Sequence, residues 1–382
     1  LKAGAVDVAA VIADAIITNA KMVADTLTEA SIKTSQADIL RSKNHLINGN
    51  MDIWQRNTTA AANDDVYSGA DRWNFLTETN GAWTVARDTD VPVGSNYSMK
   101  CSNVTLNNQM AIVQILEFAD TKKLDDQVVS LSFYAKTSGT EIANLRAAIL
   151  TWGSTADSVT SDVIGTWGQD GTNPTWATNW TMENTPSNLA LTSTWTKYTI
   201  ENVSIDTATV NNLAVVIWTD DGTIAANDDF WITQVQLNIG SKVAAFQAKS
   251  FEEELRACQR YYEKSNKYDS LPSASCGLSN GAAFSPTDYV VICAASTGTA
   301  GARTWSTQPY QVQKRTTPTA RYWDGAGNVS RNSIGDANIA TIYTNQSEAF
   351  RAITPFKYGI MYQAAPTSNW FILWTWEADA EL

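Results

Sequence analysis

The sequence of 382 residues predicts a mainly β chain with four parts. These are an N-terminal repeat segment (1–45), a jelly-roll β-sandwich (46–249), a linking helix (250–267) and a smaller distal antiparallel sandwich (268–382). Three observations predict it. Short alternating apolar runs separated by turn dipeptides recur from Trp83 to the C-terminus. Fifteen Trp and thirteen Tyr, with only 17% charged residues, sit in a background of Thr, Ser, Asn and Ala that suits sheets with polar outer faces. One stretch alone, Ser250 to Ser265, reads clearly as a helix.

Residues 1–45 contain no Trp, Tyr, Phe or Pro. Ala13 to Met22 and Ala24 to Lys33 share a pattern of Ala-Asp, an aliphatic residue, Thr, Ala and a second aliphatic residue. A unit of about ten residues buries no core by itself, so its aliphatics must pack on other repeats or on copies in other chains. An intertwined oligomeric stalk is expected. The competing reading is one amphipathic helix packed on the next domain.

The sandwich is expected to open at Met51, Ile53 and Trp54, after a turn at Asn48-Gly49. Strands are then expected over 83–86, 111–116, 128–135, 145–152, 195–200, 213–218 and 230–239, punctuated by Ser138-Gly139, Asp170-Gly171 and Asp221-Gly222. Many short strands without intervening helices point to a jelly-roll sandwich. The polar stretch from Thr151 to Ser193 breaks the rhythm and carries Trp152, Trp167, Trp176 and Trp180. A long loop is functional or disordered, and clustered Trp argues against disorder. Flat indole faces stack on sugar rings, so these four are candidate carbohydrate contacts. The alternative is that they cover the sandwich edge or meet a neighbouring subunit.

In the helix, Ser250 caps the start and Glu252, Glu253 and Glu254 complement the dipole. Phe251, Leu255, Cys258 and Tyr262 fall on one face and are the candidate packing residues, while Arg256, Arg260 and Lys264 form a basic stripe. Distal strands are expected over 282–285, 289–295, 319–323, 339–343, 349–355, 358–364 and 370–378, with 289–295 central because it is nearly all apolar. Asp324-Gly325 and Gly327-Asn328 read as turns.

The net charge of −12 argues against nucleic acid, whose binding rests on neutralising phosphates, and against anionic membrane surfaces. No apolar run reaches transmembrane length and no signal peptide is visible, so neither membrane insertion nor secretion is expected. Because the chain opens on Leu1, further residues are expected upstream. Of the four cysteines, Cys258 suits a buried apolar position. Cys276 and Cys293 have a spacing that decides nothing about pairing, and reduced thiols are expected.

Catalytic residues are not found, and no enzyme is expected. The single His45 has no acidic or thiol partner nearby, and no nucleophile, metal or phosphate motif occurs. The carboxylate doublets 64–65, 125–126, 220–221 and 228–229 point to opposite strand faces and do not present a pair to one substrate. Asp228 and Asp229, just before the last sandwich strand, offer hard oxygens that suit a structural calcium, with an ordinary polar loop as the alternative.

Four phrases resemble the tail fibres and related virion fibres of tailed phages. They are Leu46 to Arg56 (LINGNMDIWQR) with Ala70-Asp71-Arg72-Trp73, Ser250 to Glu263 (SFEEELRACQRYYE) preceded by Phe246, Tyr322 to Asn328, and Trp376 to Leu382. The resemblance spans 46–382; the first and second phrases are fairly specific, while the Asp-Gly turn alone means little. It implies a homotrimer in the virion, assembled in the host cytoplasm, attached to other virion proteins by its N-terminus and facing a host-surface glycan. It also implies a middle domain similar to jelly-roll carbohydrate-binding modules, some of which hold calcium near the last strand. On this reading the helix face packs on its own sandwich or on a three-fold axis. Rival readings are a capsid-decorating fibre, a polysaccharide depolymerase and a spacer without a ligand.

Overall fold

The computed structural model describes residues 43–265 apart from 140, 169, 221–223 and 225, together with 268 and the strands and connections lying between 290 and 382. The repeat stalk, except for 43–45, lies outside the described residues. So do Cys276, the expected 282–285 strand, the Asp221-Gly222 turn and both Gly turns at 324–328.

The sandwich strands are β1 (Thr59–Ala62), β2 (Asn74–Thr77), β3 (Trp83–Asp88), β4 (Ser98–Asn103), β5 (Met110–Leu116), β6 (Val128–Thr137) and β7 (Asn144–Trp152). They continue as β8 (Ile164–Thr166), β9 (Thr175–Trp176), β10 (Trp180–Met182), β11 (Leu189–Ala190), β12 (Thr196–Ser204), β13 (Asn212–Thr219) and β14 (Asp229–Ile239). One sheet has the order β1-β3-β4-β14-β6-β12; the other is β10-β7-β13-β5-β2 with β11 also on β7. Alternation places Leu131, Phe133, Phe230 and Ile232 of the first sheet against Ile112, Ala147, Ile149, Val215 and Ile217 of the second, all buried in one core. Strands such as β5 and β13 are buried on both faces, because a second apolar cluster covers the outer side of the second sheet.

β14 carries a bulge between Thr233 and Gln236, with Gln234 at φ 52°. Residues 44–50 dock there. The Asn44 side chain donates to the Val235 carbonyl (2.9 Å) and accepts from the Leu237 amide (3.0 Å), and the Val235 amide donates to the Gly49 carbonyl (2.8 Å). Gly49 is required by contact: a Cβ there would lie 2.1 Å from the Val235 oxygen.

α1 is a single turn, Phe118–Thr121, and α2 is Phe251–Gln259. Ser250 and Glu253 form a reciprocal capping box on α2. The expected helix is too long: after Arg260 the chain turns into β15 (Tyr262–Lys264), which pairs with the C-terminal strand. Two adjacent tyrosines, Tyr261 in the turn and Tyr262 at the start of β15, are 1% and 2% exposed, with Arg72 over the first ring and Arg56 over the second.

The distal strands are β16 (Val290–Ala294), β17 (Arg303–Pro309), β18 (Thr319–Trp323), β19 (Arg331–Asp336), β20 (Thr341–Ser347), β21 (Phe350–Arg351), β22 (Lys357–Gln363) and β23 (Trp370–Asp379). Among the described residues, β15, β16, β18, β19, β20 and β23 form one six-stranded sheet, and β17, β22 and β21 a three-stranded one. The central strand is β23, which pairs with β15, β16, β18 and β19; the expected central run, 289–295, is one of its neighbours. Length decides this, since ten residues can be shared among four partners.

Candidate functional site

The Trp-rich stretch folds back on the outer face of the second sheet. On β7 and β13 that face presents Ala148, Leu150, Trp152, Ala214, Val216 and Trp218. Trp152 (3% exposed) and Trp180 (6%) pack against each other with ring centroids 5.2 Å apart. Their indole N–H groups donate to the Thr155 and Thr160 carbonyls. These two have no free face for a sugar, and the structure gives them a packing role. Burial follows from register: Trp180 lies directly opposite Trp152 in the β10–β7 pair. Trp167 and Trp176 are half-buried on the same cluster, Trp176 edge-on to Trp218 at 5.6 Å.

One end of this face closes with a polar network. Arg146 donates to Asn188 (2.6 Å), Asn173 (2.7 Å) and the Gly171 carbonyl (2.9 Å), and its Nε lies 3.0 Å from Asp220. Arg146 thereby ties three points of the loop to β7, which is how a long irregular stretch holds one shape.

Asp228 and Asp229 lie at the start of β14. Asp228 accepts the Glu141 amide (3.1 Å), and Asp229 is 2.8 Å from the Lys100 ammonium. The cation Asp229 faces is therefore Lys100. Among the described residues no three His, Cys, Asp or Glu side chains gather as a metal would require.

Of the four residues expected on one helix face, only three lie on α2: Cys258 is buried, Leu255 is half-buried and Phe251 is 53% exposed, resting edge-on against Tyr268, whereas Tyr262 is buried on β15. The buried face also includes Glu254, which the apolar spacing does not reveal; it accepts the Asn48 amide and lies 3.4 Å from Lys249. Arg260 makes a bidentate pair with Glu117 (2.9 Å each), docking the end of α2 on the α1 corner. Burial pushes the Cys101 and Cys258 thiols well up, and both are free.

The sequence phrases around 46–56, 70–73, 250–263 and 376–382 meet in one junction. Asn48, in the left-handed region at φ 55°, bonds Ile53 in both directions and donates to the Asp71 carbonyl. Gln55 donates from backbone and side chain to Asp71 and from its side chain to the Tyr262 carbonyl (3.0 Å). Burial lifts the Asp71 carboxyl to about 6, against the opposing pull of Arg56. Arg72, at φ 73°, donates to the Ile115 carbonyl (2.6 Å), pairs with Glu381 and lies 3.5 Å over the Tyr261 ring. Arg56 pairs with Asp379 (3.0 Å) and Glu381 (3.3 Å) and stacks 3.9 Å over Tyr262. These residues were not expected as a group. Their signal in the sequence was the unusual wording of the phrases, which carries no pairing information.

No protein-family profile matches the chain, and no curated protein does. Among solved structures, it is similar to the enzymatically active domain of tailspike protein 4 of bacteriophage CBA120 (14% identity, TM-score 0.31), over 52% of this chain and 21% of that one. It is also similar to TmCBM61 in complex with β-1,4-galactotriose (11%, TM-score 0.31; 52% of this chain, 100% of that one). A third is the CBM22-1 xylan-binding domain of Paenibacillus barcinonensis Xyn10C (14%, TM-score 0.27; 49% and 94%). The chain spans about a fifth of the tailspike's length. Similarities of this size carry no argument about function.

Proposed function

We propose that the chain is the host-facing part of a tail fibre of a tailed phage, a homotrimer in the virion that binds a host-surface glycan. Its N-terminal segment joins other virion proteins. One observation carries the reading: three phrases that resemble those of virion fibres, far apart in sequence, converge on the junction of Arg56, Asp71 and Arg72 with Tyr261, Tyr262, Asp379 and Glu381. The likeness thus falls on the parts that hold the sandwich, α2 and the distal sheet together. Function here is binding without chemistry, and three weak sites on one fibre give avidity. Trp167 and Trp176, the less buried members of the Trp cluster, are the glycan contacts on this reading.

The test is a glycan array run beside the mass in solution. A mass of three chains, with glycan binding lost in Trp167→Ala or Trp176→Ala, supports the reading. A trimer that binds neither glycans nor cells points instead to a spacer or decoration fibre, and a monomer removes the stalk.

A further inference from the structure

We infer that the cleft between the sandwich edge and the distal sheet is a second saccharide site, one that takes a neutral sugar. The inference rests on the glycan-binding reading but not on the Trp cluster. The cleft encloses about 510 Å³, within the roughly 300–1,000 Å³ of small-ligand sites. Residues 56–68 form one wall and strands β18 and β23 the other, so a bound ligand touches both domains.

The lining mixes donors, acceptors and rings. Among the described lining residues are the guanidiniums of Arg56 and Arg321, the carboxylates of Asp65, Glu377 and Asp379, and the rings of Tyr67, Tyr262 and Trp323. Among the described lining residues, three carboxylates against two guanidiniums leave no positive excess, which disfavours an anionic ligand. The charged lining equally disfavours a purely apolar one. A sugar hydroxyl both donates and accepts, so one ring can use a guanidinium and a carboxylate together.

Two groups at the cleft retain bonding capacity. Arg56 Nη1 is buried with no partner among the described residues, while Nη2 holds Asp379 and Glu381. Arg321, with its side chain 67% exposed, stands 3.5 Å from Glu377, too far for a strong pair. Glu377 already accepts the Tyr262 hydroxyl (2.7 Å) and is held in place.

The experiment is calorimetry of the full chain with a panel of neutral oligosaccharides, repeated on Arg321→Ala, on Ser68→Tyr (which fills the cleft) and on Trp167→Ala. Arg321 is exposed, so its variant is expected to melt with the wild type. The proposal predicts that the two cleft variants lose about tenfold or more in affinity for at least one sugar that Trp167→Ala still binds, as expected for losing one charge-assisted hydrogen bond. Binding abolished only by Trp167→Ala overturns the cleft and leaves the glycan reading standing. No binding of any sugar by the wild type overturns both.

Discussion

Arg72 and Glu381 form a buried ion pair across 309 residues of sequence, joining the first strands of the sandwich to the end of the chain. The side chains are 1% and 6% exposed, and the Arg72 guanidinium also covers the Tyr261 ring. Removing one partner leaves the other charge buried. Glu381→Ala is expected to cost about 3–5 kcal/mol in denaturant unfolding, whereas a paired apolar replacement of both costs much less. Equal losses from the single and double variants would show that the pair itself is not what holds the junction.

Gly49→Ala tests the docking of residues 44–50 on the β14 bulge. The added methyl meets a backbone carbonyl at 2.1 Å, and a carbonyl cannot rotate away as a side chain can. A loss of about 1–3 kcal/mol or more is expected. An unchanged melting temperature would mean that this segment lifts off β14 at little cost.

The Trp cluster divides by burial. Trp180→Ala opens a cavity against Trp152 and is expected to cost about 3–5 kcal/mol. Trp167→Ala, half-buried at the rim, is expected to change stability far less while affecting glycan binding. Thermal melts of the two variants decide it; a larger loss for Trp167 would reverse the assignment.

Acid stability provides a fourth test. Burial, then the positive charge of Lys43, pushes His45 down to about 4 from its ordinary 6.5; Lys123 and Lys249 act in the same sense and Asp120 against it. The unfolded chain therefore binds the proton first, so stability present above pH 6.5 is lost as pH falls toward 4. Asp71, raised to about 6, acts oppositely: its contribution is full below the ordinary carboxylate range and lost as pH rises through 6. His45→Gln is expected to flatten the fall in stability between pH 6.5 and 4, measured by urea unfolding at each pH. An unchanged slope would place the acid sensitivity elsewhere.

Strands with clean alternation were legible: β6 is expected at 128–135 and found at Val128–Thr137, and β13 is expected at 213–218 and found at Asn212–Thr219. β4, reading SMKCSN, was not legible, because its core face holds Met99 and Cys101 among polar neighbours. The Trp stretch was marked out, but sequence left open whether it faced a ligand or the sheet. Register against β7 buried Trp152 and Trp180. Asp229 suited calcium by residue type alone, and Lys100 beside it became visible only when β4 paired with β14.

The sequence by itself determined the mainly β class, the sandwich strands with strong alternation and the capped start of α2, because these depend on periods of two and 3.6 residues and on neighbours a few positions apart. Only the tertiary structure decided that Glu254 is buried, that α2 gives way to β15, that β23 is central to the distal sheet and that Arg56 and Arg72 meet the C-terminus. Those outcomes depend on partners tens to hundreds of residues away, where hydrogen-bonding and burial demands override local preference. A linear pattern names residues suited to such a junction but does not pair them.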